Sequence, residues 1–191
     1  GMFKRAIYKK LWDELSQEKR MVFISGPRQA GKTTFAREIA DGQFKNNIYF
    51  SWDIIADKKK LIEDPVFFQH VNRVDNSLPL IIFDEIHKYK NWKNYLKGIY
   101  DEFAKEYQFL VSGSGRLDIY QKGGDSLAGR YLQLHLFPFT IAELSAKRRI
   151  FAEFIKNHLI YFDVNPKRAT FGLWQAIFEF GGFPEPFIKG S

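Results

Sequence analysis

The chain has 191 residues, of which 45% are hydrophobic and 17% aromatic, and its formal net charge is +7. This length suits one domain with at most a small appendage, and the apolar content is sufficient for a packed core. Because the sequence contains no cysteine, disulfides and cysteine-based zinc sites are excluded. No segment has the length of a membrane-spanning helix or the pattern of a signal peptide, so we expect a cytoplasmic protein.

The positive charge is spread along the chain rather than concentrated in one arm. The basic runs are short and lie at residues 9–10, 58–60 and 147–149. Short runs of this kind are typical of solvated faces, although a basic chain also attracts anions such as nucleotides. Nucleic acid therefore stays open as a partner but is not indicated.

The N-terminal part of the chain predicts a helix, a strand, a loop and a second helix. Residues 3–15 have apolar side chains on one stripe, which predicts an amphipathic helix. Residues 21–25 form an apolar run that is typical of a buried strand. A glycine-containing loop follows at residues 26–33, and residues 34–40 predict a helix with apolar side chains four residues apart.

The loop fits the pattern G-x-x-x-x-G-K-[ST], which binds the phosphates of nucleotides. Backbone N–H groups surround the phosphates in such a loop, and the next helix points its positive end at them. We expect Lys32 to reach the β- and γ-phosphates and the Thr33 hydroxyl to ligate Mg²⁺. The alternative is a chance glycine-rich turn, against which the flanking strand and helix argue. The predicted nucleotide-binding residues are Gly26, Pro27, Arg28, Gln29, Ala30, Gly31, Lys32, Thr33 and Thr34.

Strands and helices continue to alternate through the middle of the chain. Residues 47–53 predict a second strand, and residues 54–62 predict a charged helix. Pro65 is expected to open another helix, because proline suits the first helical position. Residues 80–83 predict a third strand, and residues 92–103 predict a helix rich in Trp and Tyr.

Two further strands, at residues 108–112 and 130–136, complete the predicted sheet, and helical segments are expected from there to the end. Continuous apolar strands that alternate with helices indicate an α/β fold with a mainly parallel sheet. Ligands of such sheets bind at the carboxyl ends of the strands. The phosphate loop, Asp84, Glu85 and Ser112 all follow predicted strands, so we expect them at one edge of the sheet.

Asp84 and Glu85 come directly after the third strand. At a sheet edge, Asp84 would hold Mg²⁺ beside Thr33, usually through an ordered water. Glu85 would lie beside the γ-phosphate and polarise an attacking water as a general base. A kinase that acts on a small molecule does not need this water-activating carboxylate, so the pair favours hydrolysis. The alternative is a solvated turn or a helix cap.

Several polar residues could act on the γ-phosphate. Ser112 or Ser114 could sense it through the attacking water, or could belong to an ordinary glycine-rich turn. Arg130 is the candidate cation that stabilises transition-state charge, within one chain or across a subunit interface, and its alternative is a surface ion pair. Arg28 could cap the nucleotide or contact a neighbouring subunit. His87 fits a supporting hydrogen-bonding role better than a catalytic one.

Taken together, these motifs resemble the bacterial and archaeal AAA-type ATPases with a domain of the AAA_14 kind, which belong to the P-loop ATPases with a catalytic glutamate. The resemblance covers most of the chain. It rests on residues 26–34, 82–87, 112–114, 126–130, 136–140 and 181–185.

The resemblance implies a P-loop NTPase three-layer fold with a five-stranded sheet in the order 5-1-4-3-2 and a small helical lid. It places the ATPase core at residues 1–137 and the lid, with the start of a further region, at residues 138–191. It also implies a C-terminal domain of the DUF4143 type that would follow this chain. The choice of ATP over GTP rests on the same resemblance and on the lack of an Asn-Lys-x-Asp motif.

The sequence thus predicts Mg²⁺-dependent ATP binding and hydrolysis that drives a switch in an attached domain or a partner. The predicted catalytic residues are Glu85, Lys32, Arg130 and Ser112, and the predicted metal ligands are Thr33 and Asp84. A phosphotransferase and a nucleotide-binding switch with negligible turnover are the alternatives. A motor coupled to nucleic acid would be a subtype, and a homo-oligomer is compatible with either role of Arg130.

Overall fold

The computed structural model describes residues 12–13, 16, 19–26, 32–114, 127, 129–139, 160–164, 171–180 and 183–184. Eight strands in this part of the chain form one sheet. The strands are β1 (Met21–Gly26), β2 (Asn47–Ser51), β3 (Leu80–Asp84), β4 (Gln108–Ser114), β5 (Tyr131–Phe139), β6 (Ile160–Val164), β7 (Phe171–Phe180) and β8 (Phe183–Pro184).

The first five strands are parallel and lie in the order β2-β3-β4-β1-β5, which confirms the predicted order. In the described residues, three α-helices lie between consecutive strands: α1 (Lys32–Gln43), α2 (Ile55–Glu63) and α3 (Trp92–Phe103). Of the helix predicted at residues 3–15, the structure describes Trp12 and Asp13, which are helical. The helix predicted after Pro65 is a short 3-10 helix, Phe67–His70, and a second one spans Ile86–Lys88.

Helices cover both faces of the parallel part of the sheet, which explains the apolar strands of the sequence. One face bears an aromatic cluster in which Phe23, Phe83 and Phe109 pack with side chains from α2, α3 and the first 3-10 helix. On the opposite face, α1 packs against β1, β3 and β4. Because side chains alternate along a strand, Asp84 and Ser112 lie on the α1 face.

The C-terminal part of the chain contains strands where helices were expected. β6, β7 and β8 occupy residues within the predicted lid, and β7 pairs antiparallel with β5 from Leu132↔Phe180 to Phe139↔Leu173. The helical prediction is therefore wrong for these three segments. Their aromatic and β-branched residues favour a pleated sheet, and short apolar runs do not distinguish a strand from a helix by periodicity.

The same pairing makes β5 longer than predicted. β1 pairs with β5 only as far as Ser25↔His135, whereas β7 accompanies β5 to Phe139. Pro138 lies in the section without β1 beside it, where a missing N–H removes no bond to that neighbour. The boundary between core and lid at residue 138 stays a prediction.

Candidate functional site

Asp84, the last residue of β3, is the centre of the candidate site. Its side chain is largely buried, with 8% of the residue's surface exposed. Ser112 on β4 lies directly opposite and donates a hydrogen bond from Oγ to Asp84 Oδ1 at 2.9 Å. Thr33 Oγ1, in the first turn of α1, lies 3.5 Å from Asp84 Oδ2. The structure therefore brings three of the predicted site residues together.

A third hydroxyl, which the sequence did not single out, also contacts this carboxylate. Tyr49 on β2 donates a hydrogen bond from its hydroxyl to Asp84 Oδ2. Burial, this hydrogen bond and the negative charge of Asp84 together raise the pKa of Tyr49 to about 12, so the hydroxyl keeps its proton. The guanidinium of Arg37 on α1 lies over the Tyr49 ring, with Cζ 4.4 Å from the ring centroid.

Lys32 begins α1 and is buried, with 7% of its surface exposed. Its ammonium donates a hydrogen bond to the carbonyl oxygen of Gly26, the last residue of β1, at 2.7 Å. Burial lowers the pKa of Lys32, while the negative charges of Glu85 and Asp84 raise it and partly oppose that effect. The Lys32 ammonium is therefore held at the carboxyl end of β1.

Glu85 adopts a left-handed backbone conformation, with φ 58° and ψ 22°. Such a conformation is strained for a residue with a side chain and is frequent at functional sites. The Glu85 N–H donates to the carbonyl oxygen of Ser112 at 2.7 Å, which holds this turn at the carboxyl end of β4. The turn directs the side chain of Glu85 toward Ser114.

Within the described part of the chain, four groups contact the Glu85 carboxylate. The Ser114 N–H donates to Oε1 at 2.8 Å and the Ser114 hydroxyl to Oε2 at 3.1 Å. Lys88 Nζ lies 3.3 Å from Oε2 and His87 Nε2 lies 3.5 Å from it. Lys88 also bridges to Asp53, with Nζ 2.8 Å from Oδ1. The carboxylate is therefore oriented by its neighbours rather than free in solvent.

His87 lies beside this cluster in a half-buried position. Burial lowers its pKa, and the negative charge of Glu85 opposes that effect. Its Nδ1 is buried and has no hydrogen-bond partner among the residues that the structure describes. A neutral imidazole that supports Glu85 agrees with the supporting role expected from the sequence.

Arg130 does not lie at this edge of the sheet. Its carbonyl oxygen accepts a hydrogen bond from the N–H of Met21, the first residue of β1, at 2.9 Å. Its guanidinium pairs with Asp101 near the end of α3, with Nε donating to Oδ1 at 2.7 Å. A parallel strand begins at the opposite edge from where its neighbours end, so a residue before β5 is remote from Gly26. The expected role of Arg130 within one chain does not fit this position, and its role across an interface stays a prediction.

Other predicted residues of the loop are only partly covered. Thr34 is exposed on α1. Pro27, Arg28, Gln29, Ala30 and Gly31 lie outside the described residues, so their roles stay predictions.

The oxygen atoms around Asp84 fit a hard divalent cation. Mg²⁺ prefers carboxylate, hydroxyl and water oxygens, and it is usually held in proteins by one or two carboxylates together with substrate phosphates. The Thr33 hydroxyl and the Asp84 carboxylate form such a set beside the phosphate loop. These two residues would hold the ion.

Comparison with known proteins assigns the chain to a family. A family profile described as an AAA domain matches residues 18–145. The chain belongs to this family. This AAA domain has the α/β fold of a P-loop NTPase, and the matched region contains β1 to β5 and every residue of the candidate site. Family membership indicates nucleotide binding and ATPase chemistry in general terms.

Comparison with solved structures lists two matches to this chain. The RuvB Holliday junction branch migration motor of Thermotoga maritima is 24% identical, with a TM-score of 0.49 over 80% of this chain and 51% of that one. The Aeropyrum pernix ORC1 protein, solved in complex with DNA, is 15% identical, with a TM-score of 0.47 over 78% of this chain and 49% of that one. The chain thus spans about half the length of these two proteins. No curated protein sequence matches it. No helix in the described part of the chain is long and apolar enough to cross a membrane.

Proposed function

We propose that this AAA domain binds ATP with Mg²⁺ at the carboxyl edge of its sheet and hydrolyses it. The observation that carries the proposal is the convergence of Lys32, Thr33 and Asp84 beside the end of β1. A buried ammonium next to a hydroxyl and a carboxylate suits a phosphate and its cation. The ammonium would contact the phosphate and the carboxylate would contact the cation, and these contacts would replace part of the hydration that each ion loses on binding.

Each residue takes a separate part in this reaction. The ammonium of Lys32 would bind the β- and γ-phosphates, and Thr33 with Asp84 would hold Mg²⁺, which would offset negative charge on the phosphates. Glu85 accepts the proton of the attacking water. Its Oε1 has one donor, Ser114 N–H, among the described residues, so a second lone pair can accept from water.

The hydroxyl of Ser112 supports the reaction through Asp84 rather than through the phosphate. It is completely buried and donates to Asp84 Oδ1. We further propose that hydrolysis changes the position of the segment after residue 138, and thereby of an attached domain or a partner. This coupling rests on the resemblance of the sequence and on the position of β5, which passes the site before that segment begins.

The test separates binding from turnover. Lys32→Ala removes a charge-assisted contact, so we expect the dissociation constant for a fluorescent ATP analogue to rise at least about tenfold. Glu85→Gln keeps the shape of the site but removes the base, so we expect ATP to bind while phosphate release slows by about 10² to 10⁴. Lys59→Ala and Glu102→Gln change exposed residues on α2 and α3 and are the matched controls.

Three results would contradict the proposal or redirect it. Unchanged phosphate release by Glu85→Gln would reject this residue as the base. Tight ATP binding by the unaltered chain without phosphate release over hours would support the nucleotide-binding switch. ATP consumption that requires a small acceptor molecule would support the phosphotransferase.

A further inference from the structure

Tyr49 reaches the candidate metal site from the edge of the sheet. In the register of β2 with β3, Ser51 lies opposite Asp84, and Tyr49 lies opposite Ile82. Tyr49 is therefore on the same face as Asp84 but about 7 Å behind it, since two residues of a strand span this length. The length of the tyrosine side chain brings its hydroxyl to Oδ2, where a shorter residue would not reach.

The ring of Tyr49 is held by the helix that begins at the phosphate loop. Arg37 and Thr33 are four residues apart on α1 and share one face of that helix. Thr33 contacts Asp84 directly, whereas Arg37 lies over the ring of Tyr49, whose hydroxyl also contacts Asp84. One helix face thus contacts the carboxylate by two routes, one direct and one through Tyr49.

The hydroxyls act on different atoms of the carboxylate. Ser112 donates to Oδ1, and Tyr49 donates to Oδ2, from the strands on either side of β3. With a donor on each oxygen, the carboxylate cannot rotate without breaking a charge-assisted hydrogen bond. Groups that orient a metal-binding carboxylate in this way typically affect metal affinity by about 10- to 100-fold when they are removed.

We propose that Tyr49 is a positioning residue for the metal-binding carboxylate of Asp84, and that Arg37 keeps the Tyr49 ring in place. The inference rests on the proposed function, because it assumes that Asp84 holds Mg²⁺ with a nucleotide. Only the hydroxyl of Tyr49 is required for this role. A phenylalanine would fill the same space and would still lie beneath Arg37.

The experiment measures how the affinity for a fluorescent ATP analogue depends on Mg²⁺, without any hydrolysis. In Tyr49→Phe, we expect the Mg²⁺ concentration that gives half of the maximal increase in nucleotide affinity to rise about 10- to 100-fold. The affinity measured in EDTA should stay within about twofold, because the phosphate contacts of Lys32 are unchanged. A structural defect alone would lower both affinities, so this difference identifies a positioning role.

Two further variants keep the test decisive. Tyr95→Phe removes a hydroxyl that donates to the carbonyl oxygen of Pro65 at 2.6 Å, from a ring that packs on the face of the sheet opposite Asp84, and should leave the Mg²⁺ dependence unchanged. Arg37→Met removes the cation over the ring. Loss of the interaction energy that is typical of an exposed cation–π contact would raise the Mg²⁺ requirement about two- to fivefold. If Tyr49→Phe fails to fold, Arg37→Met tests the same arrangement from an exposed position.

The outcomes distinguish this inference from the proposed function. Equal Mg²⁺ dependence in Tyr49→Phe and the unaltered chain, with normal nucleotide binding, would overturn the role of Tyr49 alone. If Tyr49→Phe does not fold, an unchanged Mg²⁺ dependence in Arg37→Met would overturn it as well. Absence of Mg²⁺-dependent nucleotide binding in the unaltered chain would overturn the proposed function and this inference together.

Discussion

Substituting Arg130 with alanine tests whether this residue lies too far along the sheet to act on a nucleotide bound by its own chain. The carbonyl oxygen of Arg130 is bound to the first residue of β1, and the phosphate loop begins at the last residue of that strand, Gly26. Five steps along a strand span about 17 Å. Unit charges at about this distance in water interact by about 0.2 kcal/mol, and salt screening reduces this value further.

ATP carries several negative charges, but screening over about two Debye lengths weakens the interaction about eightfold at physiological salt, so the ATP dissociation constant should still change by less than about 1.5-fold. By contrast, an arginine that contacts the transferring phosphate accounts for about 10³ to 10⁵ in turnover. We therefore expect Arg130→Ala to show nearly unchanged ATP affinity and unchanged single-turnover hydrolysis at low protein concentration. Asp101→Asn removes the ion-pair partner of Arg130 and is the matched control, with the same expectation.

A tenfold or greater loss of turnover in dilute Arg130→Ala would refute this reasoning, because it would require the guanidinium at the phosphates of its own chain. A loss that appears only at high protein concentration would instead assign Arg130 to a neighbouring subunit. The same mutant thus separates the two roles that the sequence left open.

Two predictions concern the groups around the carboxylates. Ser112→Ala leaves Asp84 Oδ1 without its donor, so we expect the free energy of unfolding in urea to fall by about 1.5–3 kcal/mol. Ser51→Ala, where the hydroxyl accepts a long bond of 3.3 Å from the Asp53 N–H, should cost less, and equal losses would contradict the strength given to the Ser112 bond. Burial lowers the pKa of His87, so the unfolded chain binds more protons than the folded chain just below pH 6.5. The free energy of unfolding should therefore decrease as the pH is lowered through this range, by up to about 1.4 kcal/mol per pH unit. His87→Gln should reduce this slope in urea unfolding between pH 5 and 7, and identical slopes in the variant and the unaltered chain would exclude His87 as its source.

The parallel sheet could be predicted because its signals are local. β3 is four apolar residues followed by a carboxylate, and α3 has bounds that match the predicted helix at residues 92–103. The convergence of Asp84 with Ser112 also followed from sequence, since carboxyl ends of parallel strands share an edge. These features depend on short segments and on a general rule of α/β sheets.

Tyr49 and Arg37 could not be found in the same way. Their contact depends on the register of β2 with β3 and on the position of α1 over the sheet. Neither residue belongs to a motif, and tyrosine is common in strands for reasons of packing alone.

Two further differences have separate causes. Arg130 precedes a parallel strand, so its distance from the site follows from topology and could have been deduced once β5 was assigned. The strands β6 to β8 were missed because their pairing with β5 and with each other is long-range. Helices were expected there from the local sequence, and the resemblance added the expectation of a lid.

The central claim is that Glu85 activates water for hydrolysis of ATP bound at Lys32 and Asp84. The most direct test is single-turnover phosphate release with Mg²⁺ by Glu85→Gln, at a nucleotide concentration at which binding is shown to be saturated. The account predicts bound ATP that is cleaved about 10² to 10⁴ times more slowly than by the unaltered chain. Cleavage at the same rate would contradict it.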